Sequence, residues 1–253
     1  MQIGLAGKVI IITGVASGIG AACAREARQS GADRLVLTDR DGPGLQAMAN
    51  ELRMPWVQAD LIDSAAPQVI ATAALNHFGR IDGLVNAAGL TTRAAFTDGT
   101  IALWDSLFTV NARAPFFLMQ AAITDMLGRK SPGAIVNIQS VNAHCGLPEL
   151  AIYSASKAAL STLTKNAAHA HMADRIRVNG INLGWVATQT EDRLQALANG
   201  PDWPTKASAT MPLGRLVEAD EAARLVVYLL SDTSAPLSGT VIDLEQKVTG
   251  APG

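Results

Sequence analysis

Tyr153 and Lys157, four residues apart in the run Tyr153-Ser154-Ala155-Ser156-Lys157, are the first residues whose types and spacing suggest chemistry. The run sits in an alanine-rich stretch with helical spacing, which places both side chains on one helix face. A free phenol titrates near ~10, and each pKa unit is worth about 1.4 kcal/mol. A lysine ammonium held beside it favours the phenolate, which predicts a tyrosine drawn toward neutrality and able to act as general acid and base. Thirteen residues upstream, Ser140 ends the run AIVNIQS, so its hydroxyl would meet a substrate oxygen at the carboxyl edge of a sheet. Tyr-x-x-x-Lys alone is a common pattern. It gains meaning from what precedes it.

The run Thr13-Gly14-Val15-Ala16-Ser17-Gly18-Ile19-Gly20 follows a first apolar strand and opens a helix. Glycines permit backbone conformations closed to other residues and let a pyrophosphate approach peptide N–H groups at a helix N-terminus. The spacing is one residue looser than the common G-x-G-x-x-G fingerprint, and its position between strand and helix makes it a nucleotide site. About 20 residues on, the second strand ends in Thr38-Asp39-Arg40. A carboxylate there accepts from the adenosine ribose hydroxyls and repels a 2′-phosphate, whereas the Arg40 guanidinium would pair with that phosphate. Asp39 also suits a plain turn position. The balance of these readings favours NAD over NADP.

Residues so placed need strands and helices in alternation. Apolar β-branched runs at 9–13, 34–38, 56–59, 84–86, 134–138, 176–181 and 240–244 read as seven strands. Amphipathic stretches at 19–30, 44–53, 65–78, 104–128, 151–173 and 220–231 read as helices between them. The order predicts an α/β fold: a single-domain, Rossmann-type, doubly wound seven-stranded parallel sheet with helices on both faces, spanning 1–253. About 38 residues between the strand near Ile181 and the helix near Asp220 have no strand pattern, only a short helical stretch at 191–198. A long insertion of this kind over the carboxyl ends of the strands is expected to be a substrate lid, at about 188–215.

Composition closes off other classes. With 20 basic and 22 acidic residues, the chain has no electrostatic footprint for nucleic acid or an anionic membrane surface. Hydrophobic residues make up 49% of it, too many for a disordered chain. Two cysteines, Cys23 and Cys145, cannot form a disulfide framework and read as packed thiols. No apolar stretch approaches the roughly 20 residues of a membrane helix, and the N-terminal run MQIGLAGKVIIITG lacks a cleavable signal pattern. The expected location is therefore cytoplasmic. His169 and His171 diverge on a helix and make a poor metal pair, so no metal is expected.

Taken in order, TGVASGIG (13–20), NAAG (86–89), Asn111, Ser140 and YSASK (153–157) resemble the short-chain dehydrogenases/reductases in their ~250-residue form, over nearly the whole chain. The resemblance implies an oxidoreductase that moves hydride between nicotinamide and a secondary alcohol or ketone, with the cofactor supplying the hydride chemistry. It implies that Tyr153 transfers the proton, Ser140 orients the substrate oxygen, and Lys157 holds the nicotinamide ribose while lowering the tyrosine pKa. Asn111 would hold, through the helix it interrupts, a water linking Lys157 to solvent. Cofactor contacts would come from Gly14, Ser17, Gly18, Ile19, Gly20, Asp39, Arg40, Asp60, Leu61, Asn86, Tyr153, Lys157, Val186 and Thr188. Two departures stand out. The usual Asn-Pro-Gly after the sixth strand is Asn182-Leu183-Gly184, and the tail VIDLEQKVTGAPG replaces a more typical Asp-Gly-Gly ending.

The pocket is expected to be lined by Ser140, Asn142, His144, Glu149, Tyr153 and Trp185, with Trp203 in the lid. Asn142, His144 and Glu149 are polar and Trp185 would stack on a ring, which points to a sugar or polyol. The alternatives are an NADPH-dependent 3-oxoacyl-(acyl carrier protein)-type reductase, a promiscuous carbonyl reductase, and a non-catalytic NAD-binding regulator. The last would not need the tyrosine and lysine that this chain keeps. By resemblance, the broad helices 104–128 and 151–173 would pair subunits into a homotetramer.

Overall fold

Every residue of Val9–Thr13 is buried, which a strand can achieve only with cover on both faces. The computed structural model describes residues 3–248 and provides that cover. The strands among the described residues are β1 (Val9–Thr13), β2 (Arg34–Asp39), β3 (Trp56–Gln58), β4 (Gly83–Asn86), β5 (Gly133–Ser140), β6 (Ile176–Leu183), β7 (Val186–Ala187), β8 (Val217–Glu218) and β9 (Val241–Leu244). Seven of them form one parallel sheet in the order β3-β2-β1-β4-β5-β6-β9. Strand order reverses between β1 and β4, and an open α/β sheet takes its ligand at that crevice.

The helices are α1 (Gly18–Gln29), α2 (Gly42–Leu52), α3 (Ala66–Phe78), α4 (Ile101–Phe108), α5 (Ala114–Gly128), α6 (Ala151–His171), α7 (Gln189–Asn199), α8 (Trp203–Ala209) and α9 (Ala219–Leu230). They divide between the two faces. Ile10 and Ile12 pack with Cys23, Leu45 and Val226 of α1, α2 and α9. Ile11, between them, packs on the other face with Ile70, Leu118 and Leu160 of α3, α5 and α6. The alternation of side chains along a strand thus explains why its apolar run is unbroken.

Two expectations need correction. The stretch 104–128 is not one helix: α4 and α5 are joined by a π-helical turn, Thr109–Arg113. Its apolar residues continue through the junction, so the sequence pattern hides the wider turn. The long segment after β6 does contain strands, because β7 and β8 pair in parallel as a separate ribbon, Val186 with Val217 and Ala187 with Glu218. Strands of two residues leave no periodicity to read.

A polar chain runs through the sheet beneath α6. Asn86 Nδ2 donates to Asn137 Oδ1 at 2.8 Å, and Asn137 Nδ2 donates to Thr164 Oγ1 at 2.8 Å. Gln139 Nε2 donates to the same Thr164 oxygen at 2.8 Å, and the hydroxyl donates on to the Leu160 carbonyl. Thr164 is fully buried, so its hydroxyl fastens α6 to β5. Replacing it with an apolar isostere strands the Gln139 amide donor and leaves Asn137 Nδ2 only the weak Met119 sulfur acceptor. Thr164→Val is therefore expected to lower the unfolding free energy by about 2–4 kcal/mol, read from urea denaturation, without a change of fold.

Candidate active site

The glycine loop is shaped by close backbone approaches. Gly14 has φ +75°, and a Cβ there would lie 2.8 Å from the backbone of Ala88. A Cβ on Gly20 would run into the Gly14 carbonyl. Both positions therefore require glycine. Ser17 begins α1 with no side-chain cap bond, and the first turn carries no acidic residue. The first amides of α1, at Gly18, Ile19 and Gly20, thus meet no competing carboxylate, the arrangement that receives an anion. Thr188 packs its Cβ and methyl group 3.5 Å from the Cβ position of Gly18, which brings the start of the insertion onto the same loop. The residues present fit a dinucleotide pyrophosphate.

Asp39 closes β2 beside this loop, accepting from Ala16 N at 2.9 Å and Asp41 N at 3.0 Å. Arg40 is exposed, and its carbonyl accepts from Gln58 Nε2. Asp60 accepts from Ile62 N in a turn, and Leu61 beside it is buried. Asn86 is buried at the end of β4. Val186 is buried in the ribbon. Asp39, Arg40, Asp60, Leu61 and Asn86 lie at or just beyond the carboxyl ends of sheet strands, whereas Val186 opens β7.

Ser140 ends β5, and its Oγ accepts from both the backbone N and the Nδ2 of Asn142 at 3.2 Å. Ser140 stands near enough to the Tyr153 hydroxyl to oppose the rise of its pKa. Lys157, one turn along α6, is buried and donates from Nζ to the Ile138 carbonyl at 2.9 Å. Its ammonium lies 6.0 Å from the Tyr153 ring centroid. Gly89 passes so close that a Cβ there would be 3.3 Å from Lys157 Nζ and 3.4 Å from Asn111 Oδ1. Asn111 lies in the π-helical turn. It accepts from Leu90 N and donates to the Leu90 carbonyl, both at 2.9 Å, and to Ser156 Oγ at 3.0 Å.

The electrostatics correct one expectation. Tyr153 is pushed up from its ordinary pKa, first by burial, with Ser140 opposing and the Glu191 carboxylate adding to the rise. Burial lowers Lys157 to about 8. The lysine does not draw the phenol down, because its ammonium is turned to the Ile138 carbonyl and burial disfavours both charged forms.

The expected substrate residues divide. Ser140, Tyr153 and Asn142 come together, with Asn142 engaged on Ser140. Trp185 follows β6, donates to Glu191 Oε1 at 2.8 Å and stacks on Trp203 at 5.8 Å. His144 instead meets Asp243 at 3.0 Å and Asn182 at 3.2 Å, and Glu149 pairs with Arg93 at 2.9 Å. These partners lie far away in sequence, so side-chain polarity alone could not foresee them. Cys23 is buried with its thiol pushed up to about 12 by burial, while Cys145 is exposed. His171 pairs with Asp174, and no metal-holding group occurs among the described residues. Glu191 and Gly89 are site residues that the sequence reading did not select. For Gly89 the signal was available in NAAG.

The family described as "Enoyl-(Acyl carrier protein) reductase" matches residues 14–246. Carbonyl reductase [NADPH] 2 of Sus scrofa is 31% identical over 242 residues, covering 96% of each chain. L-xylulose reductase of Bos taurus is 31% identical over 245 residues, covering 97% of this chain and 98% of the other. The crystal structure of levodione reductase superposes with a TM-score of 0.89 at 28% identity, covering 96% of this chain and 97% of that one.

A buried lysine whose pKa falls from 10.5 to about 8 carries a stability cost at neutral pH. Between pH 8 and 10.5 the unfolded chain holds a proton that the folded one has released, so stability rises with pH and the cost fades. Lys157→Met should raise the unfolding free energy at pH 7 by about 1–3 kcal/mol, net of the lost bond to Ile138. The advantage over the wild type should shrink as pH climbs from 8 to 10.5, as denaturation at several pH values would reveal.

Proposed function

The chain belongs to the short-chain dehydrogenase/reductase family and is an oxidoreductase of alcohol and ketone groups; from that premise we propose that it uses NAD and acts on a sugar or polyol. The observation that carries the catalytic reading is that buried Ser140, at the carboxyl end of β5, and buried Tyr153 and Lys157, one turn apart on α6, gather at one place, with Ser140 acting on the Tyr153 hydroxyl. Ser140, held by Asn142, would orient the substrate oxygen, and Tyr153 would pass it a proton or take one away. Burial keeps the proton on Tyr153 in the resting site, the state from which a ketone oxygen is protonated. Lys157 would hold the nicotinamide ribose. Asn111 is a positioning residue, fixing Leu90 and Ser156 around that lysine.

When bound, the nicotinamide supplies and accepts the hydride. Gly14, Ser17, Gly18, Ile19, Gly20 and Thr188 would receive the pyrophosphate. Asp39 would take the ribose, Asp60 and Leu61 the adenine, and Asn86 and Val186 the nicotinamide side. We take residues 1–253 as one unit, with 188–215 as the substrate lid. We also take the exposed apolar residues Ile101, Trp104, Phe116 and Phe117 of α4 and α5 as the subunit-pairing face of a cytoplasmic homotetramer.

The sugar or polyol reading is supported by the aromatic surface of Trp185, two residues beyond the cross-strand partner of Ser140, and by the name of the bovine relative. A second reading, NADPH with a carbonyl substrate, is favoured by exposed Arg40 and by the coenzyme in the porcine relative's name. Following NADH and NADPH absorbance with polyols, sugars, simple ketones and a 3-oxoacyl thioester separates the two. Turnover of a polyol with NAD supports the first; turnover only with NADPH and a ketone or thioester overturns it.

Tyr153→Phe should cut kcat/KM about 10³-fold while NADH binding, followed by fluorescence, is unchanged. Asp39→Asn removes the charge that repels a 2′-phosphate, and the kcat/KM ratio of NADP to NAD should rise about tenfold.

A further inference from the structure

The insertion after β6 holds one carboxylate, Glu191, in a fixed orientation beside Trp185. Glu191, in the first turn of α7, accepts from Trp185 Nε1 at 2.8 Å and from Gln195 Nε2 at 2.7 Å, both on Oε1. Gln195 is buried, and Trp185 stacks on buried Trp203, so both donors are themselves held. Thr188 caps the helix, accepting from Glu191 N at 3.2 Å, and the same threonine packs on Gly18 of the glycine loop. Trp185 stands two residues beyond Leu183, the cross-strand partner of Ser140. The side chain is therefore tied at one end to the nucleotide loop and at the other to the strand end beside the reacting hydroxyls.

Among the described residues no lysine or arginine forms an ion pair with Glu191. A second carboxylate, Glu245, packs against Gly184 next to Trp185. Two carboxylates, Glu191 and Glu245, thus flank Trp185.

We propose that Glu191 is a specificity-determining residue: through Oε2 it accepts from a hydroxyl or ammonium group of the substrate, and its charge turns away substrates that carry a carboxylate near the reacting carbon. The inference rests on the alcohol–ketone reading above and narrows its substrate class to neutral or cationic polyhydroxy and amino alcohols. A carboxylate fixed by dipoles in a poorly hydrated site acts strongly on a nearby charge, and discrimination by repulsion needs no extra contact. The effect of Glu191 on Tyr153, adding to the rise of its pKa, agrees with this proximity.

The test uses three secondary alcohols alike except at one terminus: 1,3-butanediol, 3-hydroxybutyrate and 4-aminobutan-2-ol. The wild type should prefer the diol and the amino alcohol. Glu191→Gln keeps an oxygen acceptor for Trp185 but removes the charge. The diol-to-carboxylate ratio of kcat/KM should fall about tenfold, equivalent to about 1.4 kcal/mol, with tryptophan fluorescence and melting temperature unchanged. A purely structural Glu191 would leave that ratio fixed or lower all three rates together, and either result overturns the proposal. So does a wild type that prefers the carboxylate.

Binding of the three compounds to the enzyme–NADH complex, measured by calorimetry, separates this inference from the reading beneath it. No turnover with the charge order intact in binding would overturn the polyol reading alone. Loss of the charge order in binding would overturn the role of Glu191 whatever the turnover.

Discussion

Helix α6 can carry a tyrosine and a lysine into a dry site only if it is held against the sheet at a fixed height and rotation. The hydroxyl of Thr164 supplies that constraint, accepting from Asn137 and Gln139 on β5 and donating back into its own helix. Asn137 in turn accepts from Asn86 on β4, the strand flanking the crevice. One buried hydrogen-bonded chain thus links β4 to the helix that carries Tyr153 and Lys157. Apolar packing alone would permit α6 to slide; directional bonds in a low-dielectric interior do not. Tyr153 lies three turns away from this anchor on the same helix, and its height over Ser140 follows from it.

The site that results is costly to maintain. Lys157 gives up water for a single carbonyl, and Tyr153 keeps its proton because burial opposes the phenolate. Both costs arise from excluding water where a hydride would move. The π-helical turn at Thr109–Arg113 belongs to the same economy of space. It lets Asn111 reach both the backbone of Leu90 and the hydroxyl of Ser156, while Gly89 leaves room for Lys157 between them. Irregular backbone here serves placement, as π-turns at functional sites commonly do.

The strands were legible because burial on both faces writes an unbroken apolar run, and Val9–Thr13 was read to the residue. Most helix ends shifted by no more than two positions, the usual fraying of such assignments, while α4 starts three residues before the expected 104. The π-turn was not legible, since Val110 and Ala112 continue the apolar pattern across it. Nor was the ribbon, whose partners Val186 and Val217 lie a whole insertion apart. At the site, motif residues were found through their mutual spacing, which chain geometry constrains. The engagements of His144 with Asp243 and Glu149 with Arg93 join residues 99 and 56 positions apart, and no local pattern encodes them. Glu191 was read only as the start of a helix, because its importance comes from Trp185 and Gln195 converging on one oxygen.

The two departures from the family pattern explain one another. Where the proline usual after β6 would fix the chain direction, this chain has Leu183 followed by Gly184, and two backbone bonds take over. Gly184 N donates to the Leu244 carbonyl and Val217 N donates to the Trp185 carbonyl, so the segment is held between β9 and the ribbon. The tail then makes contacts that the two glycines of an Asp-Gly-Gly ending have no side chains to make. Glu245 lies against Gly184, at a spot where any Cβ would collide with it. Gln246 accepts from Leu213 N and donates to the Arg215 carbonyl, binding the return limb of the insertion. Residues 249–253 of the tail lie outside the described residues. A rigid ring at one position has been exchanged for a set of weaker, longer-range bonds. That exchange ties the geometry of the insertion to the carboxyl-terminal strand, and through Trp185 it ties the position of Glu191 to it as well.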